Sequence, residues 1–134
     1  IAYHAGSAPV QSREITRRQK IPRRYLEQAL QQLVRQGVLI GVRGPRGGYR
    51  LARERRRISV GDIVRIVRTM ETSDDPIADA AGSELGIKVV RPMWLVLQGG
   101  VMDKLDTISI DDLCDQSADA DIVSEGRKNL DFSI

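Results

Sequence analysis

The sequence predicts a mainly α fold with a small β-wing, a winged helix-turn-helix followed by a long dimerisation helix. Three observations carry this reading. Two short amphipathic stretches flank a break at Lys20-Ile21-Pro22, an arginine-bearing Gly/Pro turn follows between two strand-like segments, and residues 89–106 form a long apolar stretch. At 134 residues the chain suffices for one domain, or one small domain with an oligomerisation arm.

Gly6-Ser7-Ala8-Pro9 reads as a turn after the tail of a helix. The chain opens Ile-Ala-Tyr-His without methionine, the mark of a fragment or a processed product. Ser12 suits the N-cap of a helix over residues 13–18, since its hydroxyl can accept from an unpaired N–H of the first turn. Glu14 lies where the helix dipole favours an acid. Lys20-Ile21 breaks this helix, and Pro22 restarts another at its first position, where a missing N–H costs nothing. Tyr25, Leu26, Ala29, Leu30, Leu33 and Val34 then recur at helical spacing up to a stop at Gly37. The opposite face carries Arg23, Arg24, Glu27, Gln28, Gln31, Gln32 and Arg35.

Val38-Leu39-Ile40 and Tyr49-Arg50-Leu51 flank the hairpin turn. Gly44, Gly47 and Gly48 permit the positive φ that a tight ribbon tip needs, and Pro45 stiffens it. Arg43 and Arg46 would project from that tip, a shape that fits a minor groove whose negative potential favours inserted arginine. Two helices joined by a turn of about three residues, then a hairpin, describe a winged helix-turn-helix.

A basic connector spans residues 53–57. Ser59 with Asp62 resembles a capping box and opens a helix to about Met70, with Ile58, Ile63, Ile66, Val67 and Met70 on its apolar side. Residues 71–87 read as a polar loop, long enough to imply function or mobility. In the next helix Val90, Met93, Trp94, Leu97, Val101 and Leu105 form one stripe, which Leu95, Val96 and Met102 widen. So wide an apolar surface predicts a dimer interface, and Gly99-Gly100 would let two backbones cross closely. Ser109 and Asp112 cap a last short helix. Residues 117–134 form an acidic tail whose closing Leu130-Asp131-Phe132-Ser133-Ile134 alternates like a strand.

Charge is distributed unevenly. Residues 1–70 hold 16 Lys/Arg against four acids, a net +12, and residues 71–134 hold five against 14, a net −9. The basic part calls for a polyanion and the acidic part for something else. The single cysteine, Cys114, excludes an internal disulfide framework and fits a reducing cytoplasm. No apolar run reaches the roughly 18 residues of a membrane span. One histidine cannot build a Ser/His/Asp set, and the Gly-rich turn lacks the Lys-Ser/Thr of a phosphate loop, so enzymatic activity is not expected.

Ile21-Pro22-Arg23-Arg24-Tyr25-Leu26-Glu27-Gln28 together with Val42-Arg43-Gly44-Pro45-Arg46-Gly47-Gly48-Tyr49-Arg50-Leu51-Ala52 resembles the IscR-like (Rrf-two) family of bacterial regulators. Ile58-Ser59-Val60-Gly61-Asp62-Ile63, Trp94 and Ile108-Ser109-Ile110-Asp111-Asp112-Leu113 fit as well, so the resemblance covers nearly the whole chain. It implies a homodimeric transcription factor that dimerises through the long helix and reads a pseudo-palindromic operator, acting as a repressor. It also implies that the chain lacks the start of the family's first helix. Carried over residue by residue, Glu27 and Gln28 contact bases and Arg43 enters the minor groove. Arg23 and Arg24 depart from the small polar residues common there.

The expected DNA-binding set is Arg23, Arg24, Tyr25, Glu27, Gln28 and Gln31 with Arg43, Gly44, Pro45, Arg46 and Gly47. By chemistry Arg24 can take guanine O6/N7 and Gln28 can pair with adenine. Glu27 either accepts from cytosine N4 or fixes the rotamer of a neighbouring arginine. Many relatives hold an iron–sulfur cluster through three loop cysteines and, in some, a histidine. Here Pro76, Gly82 and Lys88 stand at the cysteine positions and Arg91 at that of the histidine, so no cofactor and no metal are expected. The signal would then be a partner protein, a small molecule or oxidation of Cys114, a residue that reads more readily as a buried small hydrophobe. The alternative to a regulator is a structural or RNA-binding winged helix without operator specificity.

Overall fold

The computed structural model describes residues 1–6, 8–71, 82–124 and 126. Among them run five α-helices and one two-stranded sheet. Helix α1 (Ser12–Gln19) starts one residue earlier than its sequence suggests. Gln11 takes the extended cap position, and its carbonyl accepts from the N–H groups of Glu14 and Ile15. Ser12 is thereby already helical and cannot cap. Lys20 ends α1 in the left-handed region at φ 54°. Helix α2 (Arg23–Arg35) is capped by Pro22, whose ψ of 130° keeps it extended while its carbonyl accepts from Leu26 at 3.0 Å. The expected restart is therefore displaced by one residue. Gly37, at φ +73°, lets the chain turn out of α2.

Strands β1 (Leu39–Val42) and β2 (Gly48–Leu51) pair antiparallel, Leu39 opposite Leu51 and Val42 opposite Gly48. Val10 adds a bridge to Tyr49 through two N–H···O bonds of 2.8 and 3.0 Å. Position 48 must be glycine for this approach, because a Cβ there would lie 2.5 Å from the Val10 carbonyl oxygen. Residues 2–4 form a turn rather than the end of a helix. They pack against the chain that leaves the last helix: Ser124 Oγ donates to the Tyr3 carbonyl at 2.6 Å, and the Tyr3 hydroxyl donates to that of Ile122.

Helices α3 (Val60–Arg68) and α5 (Ile110–Asp119) both open with complete capping boxes, Ser59 with Asp62 and Ser109 with Asp112. The two capping serines lie opposite each other in a β-bridge, Val60 N–H donating to Ile108 and Ile110 N–H to Ile58, each at 2.8 Å. Between them runs α4 (Arg91–Asp106). Helical backbone begins well before residue 89, at Glu84, and passes through a π-helical turn at Gly86–Val90. Pro92 supplies the reason: it has no N–H to donate one turn back, and a widened turn accommodates its ring. Ser83 Oγ accepts from Gly86 N–H at 3.0 Å and supports the new start. Most of the expected polar loop, residues 72–81, and the strand-like close at residues 130–134 lie outside the described residues.

The core is aliphatic. Leu26, Leu30, Val38, Leu39 and Ile58 are buried together, flanked by Ile15, Leu33, Tyr49, Leu51, Ile63 and Ile110. Its position beneath α2 and the base of the wing turns the other side of both toward solvent. Cys114 is buried at 5% exposure, as a small hydrophobe would be. None of the described helices is long and apolar enough to cross a membrane.

Candidate nucleic-acid interface

Burial of Leu26, Ala29 and Leu30 fixes the rotation of α2. Arg23, Arg24, Tyr25, Gln28 and Gln31 are consequently exposed, and Glu27 is half-buried at the margin. Tyr25, read also as part of the apolar stripe, is 40% exposed and belongs to the open side. Two arginines at the start of a helix oppose its dipole, and α2 has neither an acid in its first turn nor a side-chain cap. Helix stability therefore does not account for these residues. Arg23 Nε donates to Glu27 Oε1 at 2.8 Å, and this hydrogen bond, reinforced by the charge of Glu27, holds the guanidinium above its ordinary pKa. Of the two roles open to Glu27, holding an arginine is the one seen in the free chain.

The wing tip closes through Gly47 N–H donating to the Gly44 carbonyl at 2.9 Å. Gly44 has φ +112°, and a Cβ at Gly47 would lie 2.2 Å from the Val42 carbonyl oxygen. Position 44 needs glycine for its positive φ, whereas Gly47, expected to share it, has none and is needed for the close approach alone. The turn leaves Arg43, Pro45 and Arg46 exposed. Arg43 lines a groove between the wing and the starts of α1 and α2, together with Arg13, Arg23, Gln11 and Ser12. Arginines from three elements thus line one concavity. Arg13 Nε is held by Gln11 Oε1 at 2.7 Å. Sequence reading missed Arg13 and the Val10 bridge that places it, because a single paired residue leaves no periodic pattern.

The long helix divides into two sides. Trp94, Gln98, Met102 and Leu105 follow i, i+4, i+8, i+11 and are partly buried, and α4 packs on α3. Val90, Met93, Leu97 and Val101 of the expected interface stay exposed, as do Leu95 and Val96, and α4 has no fully buried residue. Its end is fixed by Arg65 of α3, which donates through Nη1 and Nη2 to the two Asp106 carboxylate oxygens at 2.7 and 2.5 Å. These bonds hold Asp106 below the ordinary carboxylate range and Arg65 above its own. Gly61 of α3 lies so close that a Cβ would meet the Asp106 side chain at 1.9 Å.

The model of the Rrf2 family, described as "Iron-dependent Transcriptional regulator", matches residues 1–116. The chain belongs to the Rrf2 family. The HTH-type transcriptional regulator IscR of Aliivibrio salmonicida is 32% identical over 141 residues, covering 100% of this chain and 79% of that protein. The IscR of Vibrio vulnificus is 29% identical over 136 residues with the same coverage. Among solved structures, T. potens IscR superposes with a TM-score of 0.68 at 32% identity, over 92% of this chain and 81% of that one. CymR, the global cysteine regulator of B. subtilis, gives 0.63 at 28%, over 86% and 84%. The Rrf2 chain is thus a transcriptional regulator of winged-helix fold, IscR-like, and not an enzyme.

The family description raises the question of iron. An iron–sulfur cluster requires several soft thiolates, and the whole sequence holds one cysteine and one histidine. Cys114 is buried in α5, and His4 lies in the N-terminal turn against the Tyr3 ring. Lys88 is ion-paired with Glu84, Gly82 is exposed, and Arg91 starts α4; Pro76 lies outside the described residues. Among the described residues no three His, Cys, Asp or Glu side chains are grouped to hold a metal. This donor set does not fit such a cluster.

Proposed function

We propose that this chain is a sequence-specific DNA-binding regulator, a repressor, that acts as a homodimer on a pseudo-palindromic operator without an iron–sulfur cluster. The observation that carries the reading is the exposure of the α2 outer face and of the wing arginines, with Arg23 of α2 and Arg43 of the wing lining one groove. α2 enters the major groove, where Arg24, Glu27, Gln28 and Gln31 reach base edges and Tyr25 lies beside them. Arg43 enters the minor groove with Gly44, Pro45, Arg46 and Gly47 shaping its approach. Arg13 meets phosphates along the groove and sets the register, and Arg23 borders the same groove with its guanidinium on Glu27.

Residues 1–70 form the DNA-reading unit in this scheme, residues 71–88 the loop, and residues 89–116 the dimerisation part, followed by an acidic tail. Val90, Met93, Leu97 and Val101 meet a second copy, while Trp94 and Leu105 support the helix from behind. The dimer spaces two α2 helices for two half-sites about one DNA turn apart. The regulator works in the bacterial cytoplasm, and its effector is a protein or a small molecule.

Selection of duplexes from a random-sequence pool tests this. Enrichment of an inverted repeat is expected, together with loss of preference at particular base pairs in Gln28→Ala. Binding of all duplexes alike, governed only by salt, would instead establish a structural or RNA-binding winged helix.

A further inference from the structure

We propose that Arg23 is a specificity-determining residue: by holding Glu27 it tempers that acid's demand for cytosine at the operator base pair beneath it. The inference rests on the operator reading above and concerns how sharply one position is read. Its basis is the Arg23 Nε to Glu27 Oε1 bond, 2.8 Å long, on the outer edge of α2. The pair runs Arg to Glu from i to i+4, the weaker order on a helix, and its arginine opposes the dipole. It therefore adds little to folding. Exposed at both ends, with side-chain exposures of 78% and 42%, it is available to DNA.

A bare carboxylate in the major groove accepts well from cytosine N4 and is repelled by the acceptors of guanine and by nearby phosphates. With Arg23 attached, the carboxylate is charge-compensated and one of its oxygens is occupied. A base pair presenting acceptors then costs less than it would beside Glu27 alone. Arg23 also faces the groove shared with Arg13 and Arg43. Phosphate and Glu27 compete for the same guanidinium, which links backbone contact to base discrimination.

The test uses the full chain and duplexes selected from a random pool. The base pair under Glu27 is the one whose preference disappears in Glu27→Ala. Dissociation constants are then compared for the cytosine and guanine forms of that pair. Arg23→Ala should raise the discrimination ratio about tenfold, within the ~1–3 kcal/mol carried by one base contact. Arg23→Lys, which keeps a cation within reach of Glu27, should stay near the wild-type ratio, and Arg23→Ala combined with Glu27→Ala should show none. A ratio unchanged in Arg23→Ala, with both duplexes bound more weakly and the salt slope lower by about one, would make Arg23 a simple phosphate contact and overturn the proposal. Selection without any enriched sequence would instead defeat the operator reading itself.

Discussion

Truncating Leu97 probes the long helix most directly. The residue keeps 54% of its surface open in the single chain. Burying a leucine completely contributes about 1.5–3 kcal/mol, so covering the remaining half contributes about 1–1.5 kcal/mol per copy. A two-fold interface counts each residue twice, which gives about 2–3 kcal/mol for the pair. At tenfold per ~1.4 kcal/mol, Leu97→Ala should weaken self-association roughly 30- to 100-fold, and Leu97→Glu should abolish it. Sedimentation equilibrium over a range of concentrations measures this, with far-UV circular dichroism as the control. Because the part of Leu97 that a partner would cover is open in the single chain and α4 has no buried residue, helical content should change little. A wild-type mass of one chain at every concentration would refute the reasoning. So would dissociation constants unmoved by Leu97→Ala and by the neighbouring Val101→Ala.

Three further outcomes are expected. Arg43→Ala should lower operator affinity about tenfold and flatten the salt dependence; equal affinity in a fluorescence-anisotropy titration would remove this arginine from the interface. Gly47→Ala forces a Cβ against the Val42 carbonyl, 2.2 Å away, and should cost about 1–3 kcal/mol in urea unfolding, whereas Gly41→Ala, with open space around it, should be tolerated. Arg65 depresses the Asp106 pKa, so this pair stabilises the fold above the ordinary Asp value of about 3.9 and loses its effect as pH falls through the lowered value. The acid limb of the stability–pH profile should therefore shift upward in pH in Arg65→Gln, and an unmoved limb would contradict the role given to the pair.

The elements legible in the sequence were those set by local chemistry. Ser59-x-x-Asp62 and Ser109-x-x-Asp112 announce their helices because a capping box is complete within four residues. The α2 stripe and the wing glycines were equally visible, since helical period and turn geometry are short-range properties. Long-range geometry was not. Val10 pairs with a strand 39 positions away, and Arg65 meets Asp106 across 41, neither with any repeating pattern to betray it. The early start of the long helix was hidden because its apolar stripe becomes regular only near residue 89, while a π turn carries helical backbone upstream of it. For the interface, the sequence marked the residue types on α2 and in the wing. Only the fold brought Arg13 beside Arg23 and Arg43, and side-chain geometry picked Arg23 as the arginine that Glu27 holds.

The bridge between Val10 and Tyr49 has a mechanical consequence. It fastens the segment entering α1 to the middle of β2, so the ribbon cannot swing as a loose finger about its own base. The arginine at its tip and the exposed edge of α2 keep a fixed offset, like two prongs of one plug. A stiff plug leaves the yielding to the socket. In the proposed complex, DNA that already has a narrow minor groove at that offset is engaged without strain, and DNA that must be compressed there carries a deformation cost. Sequence preference should therefore extend to base pairs that no side chain touches, in the stretch between the helix contact and the wing contact.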